Sequence, residues 1–188
     1  MPLDEVRSML SAASVSRVWL SGGVALDVWL GHATRSHGDI DVSVLRSDWD
    51  AFAGSIPSTL RMYAAEGGTL RPLGAHSDPP NNIWCTRDDM DAWVLQLNIE
   101  EGTDSEWRYR RFPAIRLEWE RAVVEVAGIR VIAPEVQLLW KSKMPIEKDE
   151  ADLTAVLPHL DASAREWLSR AIAIAHPTSP WAGDFGIQ

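Results

Sequence analysis

Cysteine occurs once in 188 residues, at Cys85, so neither an internal disulfide nor a multi-cysteine zinc site can form within the chain. Long apolar runs are missing too: no stretch approaches the ~20 residues that a membrane-spanning helix requires. The opening Met-Pro-Leu-Asp-Glu carries no basic region followed by an apolar core, so no signal peptide is evident and a cytoplasmic protein without a membrane partner is expected. Positive charge is scarce, with 18 Lys and Arg against 27 Asp and Glu and a net charge of −9. That balance argues against nucleic acid as a partner, because duplex binding needs clustered cations. A cationic small molecule, or a polyanion gripped locally by a metal and a few bases, stays open. Lysine is rarest of the charged residues: Lys141, Lys143 and Lys148 are the only three, confined to eight positions, beside fifteen arginines.

What is present describes an ordinary globular chain, 46% hydrophobic and 24% charged, long enough for one domain or a compact domain with a helical extension. Leu3 to Ser14 has helical apolar spacing, and Val15 to Leu20 reads as a short strand ended by Ser21-Gly22-Gly23. The apolar set from Val24 to Leu30 predicts a helix stopped by Gly31. Gly38 to Leu45 alternates small or acidic side chains with apolar ones, the mark of a half-buried strand. Ser47 and Asp48 are candidate caps for a short helix through Phe52. Gly67, Gly68, Pro72, Pro79 and Pro80 make 66–82 a loop with an edge strand. Trp93 to Ile99 alternates clearly, Glu101 to Asp104 reads as a turn, and Val123–Val126 with Ile129–Ile132 reads as a hairpin about Ala127-Gly128. After Pro134 the pattern becomes helical, over 135–142, 148–157 and 162–175. Strands and helices mix early and helices dominate late, so the expected class is α+β, with residues 1–133 as one domain and 134–188 as a helical C-terminal subdomain.

The chemistry concentrates in Ser21-Gly22-Gly23 and Asp39-Ile40-Asp41. Two carboxylates at i and i+2 of a strand project from one face. They repel unless a cation lies between them, and magnesium suits the need, since it takes oxygen ligands and usually one or two carboxylates plus substrate phosphates. Glycines between a strand and a helix let backbone N–H groups approach phosphate oxygens at the positive helix end. No Gly-Lys-Ser/Thr follows, so this is not a Walker A loop, and the three-glycine dinucleotide fingerprint is missing. A calcium loop is excluded by Val44, which stands where that loop needs glycine.

Strand, Gly-Gly, helix and Asp-apolar-Asp in this order resemble the nucleotidyltransferase superfamily, most nearly the aminoglycoside and lincosamide nucleotidyltransferases. Gly22, Gly23, Arg35, His37, Asp39 and Asp41 carry that likeness, strongest over 17–45. Weaker likeness runs through Leu95-Gln-Leu, Trp107, Arg110-Arg111, and Pro134–Lys141 to Lys148–Asp152. The resemblance implies a nucleotidyltransferase-like mixed β-sheet flanked by helices. It also implies magnesium-dependent transfer of a nucleoside monophosphate from a triphosphate, ATP foremost, to a hydroxyl of a small, aminoglycoside-like acceptor, releasing pyrophosphate. Asp39 and Asp41 would hold the metal, and Ser21, Gly22 and Gly23 would cradle the phosphates. Arg35 would position phosphate or order its loop, and Lys141 or Lys148 would neutralise the triphosphate.

The family often adds a third carboxylate from a neighbouring strand, as metal ligand or general base. On the Trp93–Ile99 strand the face in question carries neutral Gln96 and Asn98. Glu100 continues that face by parity and is the candidate third carboxylate; Asp91 is the other. Without one, the alternative is a catalytically weak or inactive relative that binds or regulates, in the manner of an antitoxin. Asp149 and Asp152 read as first-turn helix partners in solvent. Of Trp84, Trp93, Trp107 and Trp140, most belong to the core and one is open to base stacking.

Overall fold

The computed structural model describes residues 1–13, 15, 17–74, 78–87, 92–183 and 185. In chain order it contains α1 (Leu3–Ala12), β1 (Val18–Ser21), α2 (Gly22–Leu30), β2 (Ile40–Leu45), α3 (Trp49–Ala53), β3 (Arg61–Glu66), β4 (Thr69–Pro72) and β5 (Asn82–Thr86). There follow β6 (Trp93–Gly102), β7 (Glu106–Arg108), β8 (Arg116–Glu118), α4 (Trp119–Ala122), β9 (Val123–Val126), β10 (Ile129–Ile132), α5 (Pro134–Lys141), α6 (Glu147–Val156) and α7 (Ala162–Ala175). The class is α+β, as the alternation of patterns implies.

Local chemistry accounts for most boundaries. Helix α1 buries Val6, Met9 and Leu10, a stripe at helical spacing. Helix α2 stops at Gly31, whose φ of 78° returns its N–H to Val28 O. Pro134 opens α5 at a position where its missing N–H costs nothing. Asp161 caps α7 by accepting from Ala164 N. Between β9 and β10, Ala127 and Gly128 both have positive φ, the geometry a two-residue hairpin turn requires.

The main sheet runs β4-β3-β5-β6-β2-β1-β10-β9, with β7 added to β6 and β8 to β7. Strand β2 is antiparallel to β1 and parallel to β6, so the sheet is mixed. Directly paired residues share a face, and the register fixes two contrasting ones. Val18, Leu20, Val42, Val44, Leu95, Leu97 and Ile99 form a wholly buried apolar face. The other carries Ser21, Asp41, Ser43, Gln96 and Asn98 in adjoining rows, with Asn82 and Trp84 of β5 beside them.

Helix α5 packs between α2 and α7, and its Val136, Leu138 and Leu139 join the same buried cluster as the sheet. Strands β3, β5, β7 and β8 and helix α4 have no counterpart in the sequence expectation. The edge strand expected within 66–82 is β4, entered through a tight turn at 67–68 and exposed throughout. Strand β6 continues to Gly102, so the expected turn begins later, at 103–105. Among the described residues no helix is long and apolar enough to cross a membrane.

Candidate active site

A cleft of about 380 Å³ opens on the polar face of the sheet, walled by α5 and the start of α6. Its lining includes Gly22, Asp39, Asp41, Asn98, Glu100, Gln137 and Lys141. Asp41 lies in β2 and Asp39 just before it, so the carboxylates hold the same parity while Ile40 and Val42 root the strand in the core. Asn98 Nδ2 donates to Asp41 Oδ1 at 3.2 Å, and Gln96 Nε2 donates to Asn98 Oδ1 at 2.9 Å. A chain of neutral amides therefore supports one acid. Burial, reinforced by Asp39, pushes the Asp41 carboxyl up to about 6, against the Asn98 hydrogen bond and the positive Lys141 and Lys148.

The glycines serve close approach. Gly22 has a φ of 71°, and a Cβ there would overlap Asp41 Oδ2, so only glycine lets the backbone lie against the carboxylate. Gly22 N–H donates to Gln137 Oε1 of α5 at 2.7 Å. A Cβ on Gly23 would overlap Arg35 Nη2. Gly23 thus faces Arg35 and His37 rather than the cleft, and Ser21 is buried with its Oγ accepting from Ser43 Oγ. His37 Nε2 pairs with Asp27 Oδ2 at 2.7 Å, while Asp27 Oδ1 accepts from Thr34 N and Thr34 Oγ1.

An ionic cluster runs from the cleft wall into the interior behind it. Asp152, 1% exposed, receives Arg35 Nε at 2.8 Å and Arg35 Nη2 at 2.9 Å, and Lys141 Nζ lies 2.9 Å from its Oδ2. Lys141 also donates to Asp149 Oδ1 at 2.7 Å. Hydrogen bonds from Arg35 and Lys141 outweigh burial and lower the Asp152 pKa. Asp149 and Asp152 are both buried partners of cations, which corrects the expectation that solvent surrounds them, while Asp149 keeps its expected first-turn place by accepting from Ile146 N at 3.1 Å. Arg35, from the loop before β2, and Lys141, at the end of α5, meet α6 there.

Glu100 stands at the far end of the cleft, 1% exposed, and among the described residues its Oε1 has no hydrogen-bond partner. Burial pushes its carboxyl up to about 7, opposed by Arg110 and Arg111 and by the Trp107 indole, which approaches without hydrogen-bond geometry. In the β2–β6 register Asp41 faces Gln96 whereas Leu45 faces Glu100. Four residues of strand separate the two acids, roughly 13 Å, too far to share one ion. Arg110 Nη1 is spent on Ile99 O at 2.6 Å. Arg111 Nη1 reaches Tyr109 Oη, itself bonded to His176 Nε2.

The structure thus brings Gly22, Asp39, Asp41, Glu100 and Lys141 to one cleft and sets Ser21, Gly23 and Arg35 behind it. Asp91 lies outside the described residues. Trp84 and Trp140 line the cleft; Trp93 packs edge-on against Trp84, and Trp107 is fully buried. Gln137, which periodicity reads only as one position of a buried helix, is a site residue that sequence reasoning missed. For a metal, Asp39 and Asp41 supply hard oxygen donors. Among the described residues no three His, Cys, Asp or Glu side chains gather into a cage. That donor set fits magnesium, which completes its shell with water and phosphate oxygens.

A family model described as aminoglycoside-2''-adenylyltransferase matches residues 3–58, the span holding the glycine pair and both aspartates. The crystal structure of ANT(2'')-Ia in complex with adenylyl-2''-tobramycin is similar at a TM-score of 0.59 and 15% identity, covering 92% of this chain and 97% of that one. A solution structure of the antibiotic-resistance factor ANT(2'')-Ia is similar at 0.54 and 19%, covering 93% and 95%. No curated protein gives a significant match. The fold is therefore nucleotidyltransferase-like, and the first third of the chain is similar to the aminoglycoside adenylyltransferases.

Proposed function

We propose that this chain is a magnesium-dependent nucleotidyltransferase that moves a nucleoside monophosphate, adenylate foremost, onto a hydroxyl of a small amine-bearing acceptor. The observation that carries the reading is the contact of Gly22 with Asp41, which sets the glycine turn against a carboxylate in a cleft shared with Asp39 and Lys141. The match over residues 3–58 supports it. Adenylyl-2''-tobramycin bound to ANT(2'')-Ia makes an aminoglycoside the first acceptor to try.

Asp39 and Asp41 would hold the magnesium, which supplies charge neutralisation for the triphosphate. Lys141, already in the cleft wall, turns part of its charge from Asp149 toward the phosphates. The acceptor oxygen attacks the α-phosphorus, the bond to the bridging oxygen breaks, and pyrophosphate leaves with the electron pair. Glu100 takes the hydroxyl proton, for which a carboxyl poised near neutrality at the acceptor end is suited. Its free Oε1 otherwise binds an acceptor ammonium.

A second reading rests on Gln96 and Asn98, neutral where a third acid beside Asp41 would stand. It makes the chain a binding or regulatory relative. One experiment separates the two: pyrophosphate release from each of four triphosphates with magnesium, against aminoglycosides, lincosamides, RNA and proteins. Turnover with a small hydroxyl acceptor supports the enzyme; triphosphate binding without turnover on any acceptor supports the binder.

A further inference from the structure

Gln137 sits in mid-helix α5, 4% exposed, and its side chain reaches across 115 positions of sequence to the glycine loop. Backbone N–H only donates, so the amide atom meeting Gly22 must be oxygen, and this fixes how the amide is turned. Nε2 is the other branch. Among the described residues it donates no hydrogen bond, yet it is not sealed in the interior, for Gln137 lines the cleft beside Asp41 and Lys141. Gln137 and Lys141 stand at i and i+4, one above the other on a single helix face. Helix α5 therefore turns one neutral and one cationic donor toward the same cavity.

We propose that Gln137 is a polyphosphate-positioning residue. Its Oε1 pins the Gly22 backbone against Asp41, and its Nε2 donates to a non-bridging oxygen of the triphosphate. A lysine in its place would pair with Asp41 and quench the metal-binding charge; an amide offers hydrogen bonds without that competition. This rests on the triphosphate reading above and assigns it a residue from the C-terminal helices.

Gln137→Glu tests the role, because a carboxylate still accepts from Gly22 N–H but faces the phosphates with an anionic oxygen. Calorimetry at about pH 8.5, where the new acid is ionised, would use a non-hydrolysable ATP analogue with magnesium, and adenosine alone as a control. The expected result is triphosphate affinity weakened about tenfold or more, with adenosine binding held. Equal triphosphate affinity in wild type and Q137E overturns the role and leaves the Gly22 contact purely structural. Should Q137E not fold, Gln137→Met in the same titration decides: at least about threefold weakening for the triphosphate with adenosine binding held is expected, and equal triphosphate affinity overturns the role. Wild-type protein that binds no triphosphate defeats the proposed function itself, and the role of Gln137 with it.

Discussion

Arg35 and Asp152, 117 positions apart, meet in a two-pronged ion pair with contacts of 2.8 and 2.9 Å. The pair ties the loop before β2 to the middle of α6, and its guanidinium also abuts Gly23. Asp152→Ala leaves Arg35 and Lys141 facing a desolvated gap. Loss of one partner of a buried pair costs 3–5 kcal/mol, and the 21% exposure of the Arg35 side chain trims that to about 2–4 kcal/mol. Urea unfolding checks the figure. The double variant R35M/D152L should recover much of the loss, since apolar groups need no counter-ion.

Asp39→Asn and Asp41→Asn should each abolish metal-dependent pyrophosphate release. The loss should exceed the ~10–100-fold that follows removal of a group merely orienting a metal ligand. Stability should move the other way for Asp41. Its folded pKa, about 6, stands above the ordinary carboxylate value, so the folded state holds the proton longer and stability falls as pH climbs through that window. Without metal, D41N should melt above wild type at pH 7.5, by about 2–4 °C per kcal/mol of repulsion relieved. The gain should shrink toward pH 5. An unchanged melting difference between the two pH values contradicts the burial argument.

Much of this was legible in the chain. Alternation about Asp39-Ile40-Asp41, glycines between strand and helix, and the parity that carries Glu100 onto the Asn98 face are local patterns, and local patterns survive folding. Strand β3 escaped because only Ala64 of its six residues is fully buried, so no alternation reaches the sequence. Gln137 and Asp152 escaped for a different reason. Each acquires its meaning from a partner more than a hundred residues away, and no spacing rule reports such a contact. Arg35 stood open between positioning phosphate and ordering its loop; it pairs with Asp152 of α6, a partner 117 positions away that no local pattern reports.

Gly22→Ala and Gly128→Ala compare two glycines of nearly equal φ, 71° and 75°. At Gly128 a Cβ meets open space, so the cost is backbone strain alone, about 1 kcal/mol. At Gly22 the same strain is joined by overlap with Asp41. The Gly22 variant should lose about 2–4 kcal/mol and its divalent-ion affinity as well. Thermal unfolding with and without manganese checks both, and equal costs at the two sites would remove the claim that Gly22 is there for Asp41.

Glu100→Gln separates stability from chemistry by pH. Burial raises the folded pKa to about 7 against an ordinary value of 4.5, so stability contributed by the protonated form is complete below pH 4.5 and drains away as pH passes 7. Glutamine carries no charge to bury. E100Q should therefore melt a few degrees above wild type at pH 8 and alongside it at pH 5. Activity should fall by about 10²–10⁴, the usual contribution of a general base, and the acid limb of the pH–rate profile near 7 should vanish. Should Glu100 instead bind an acceptor ammonium, KM for the acceptor rises while kcat keeps its pH dependence. The two carboxyl roles thus divide cleanly between the acceptor-saturation curve and the pH profile.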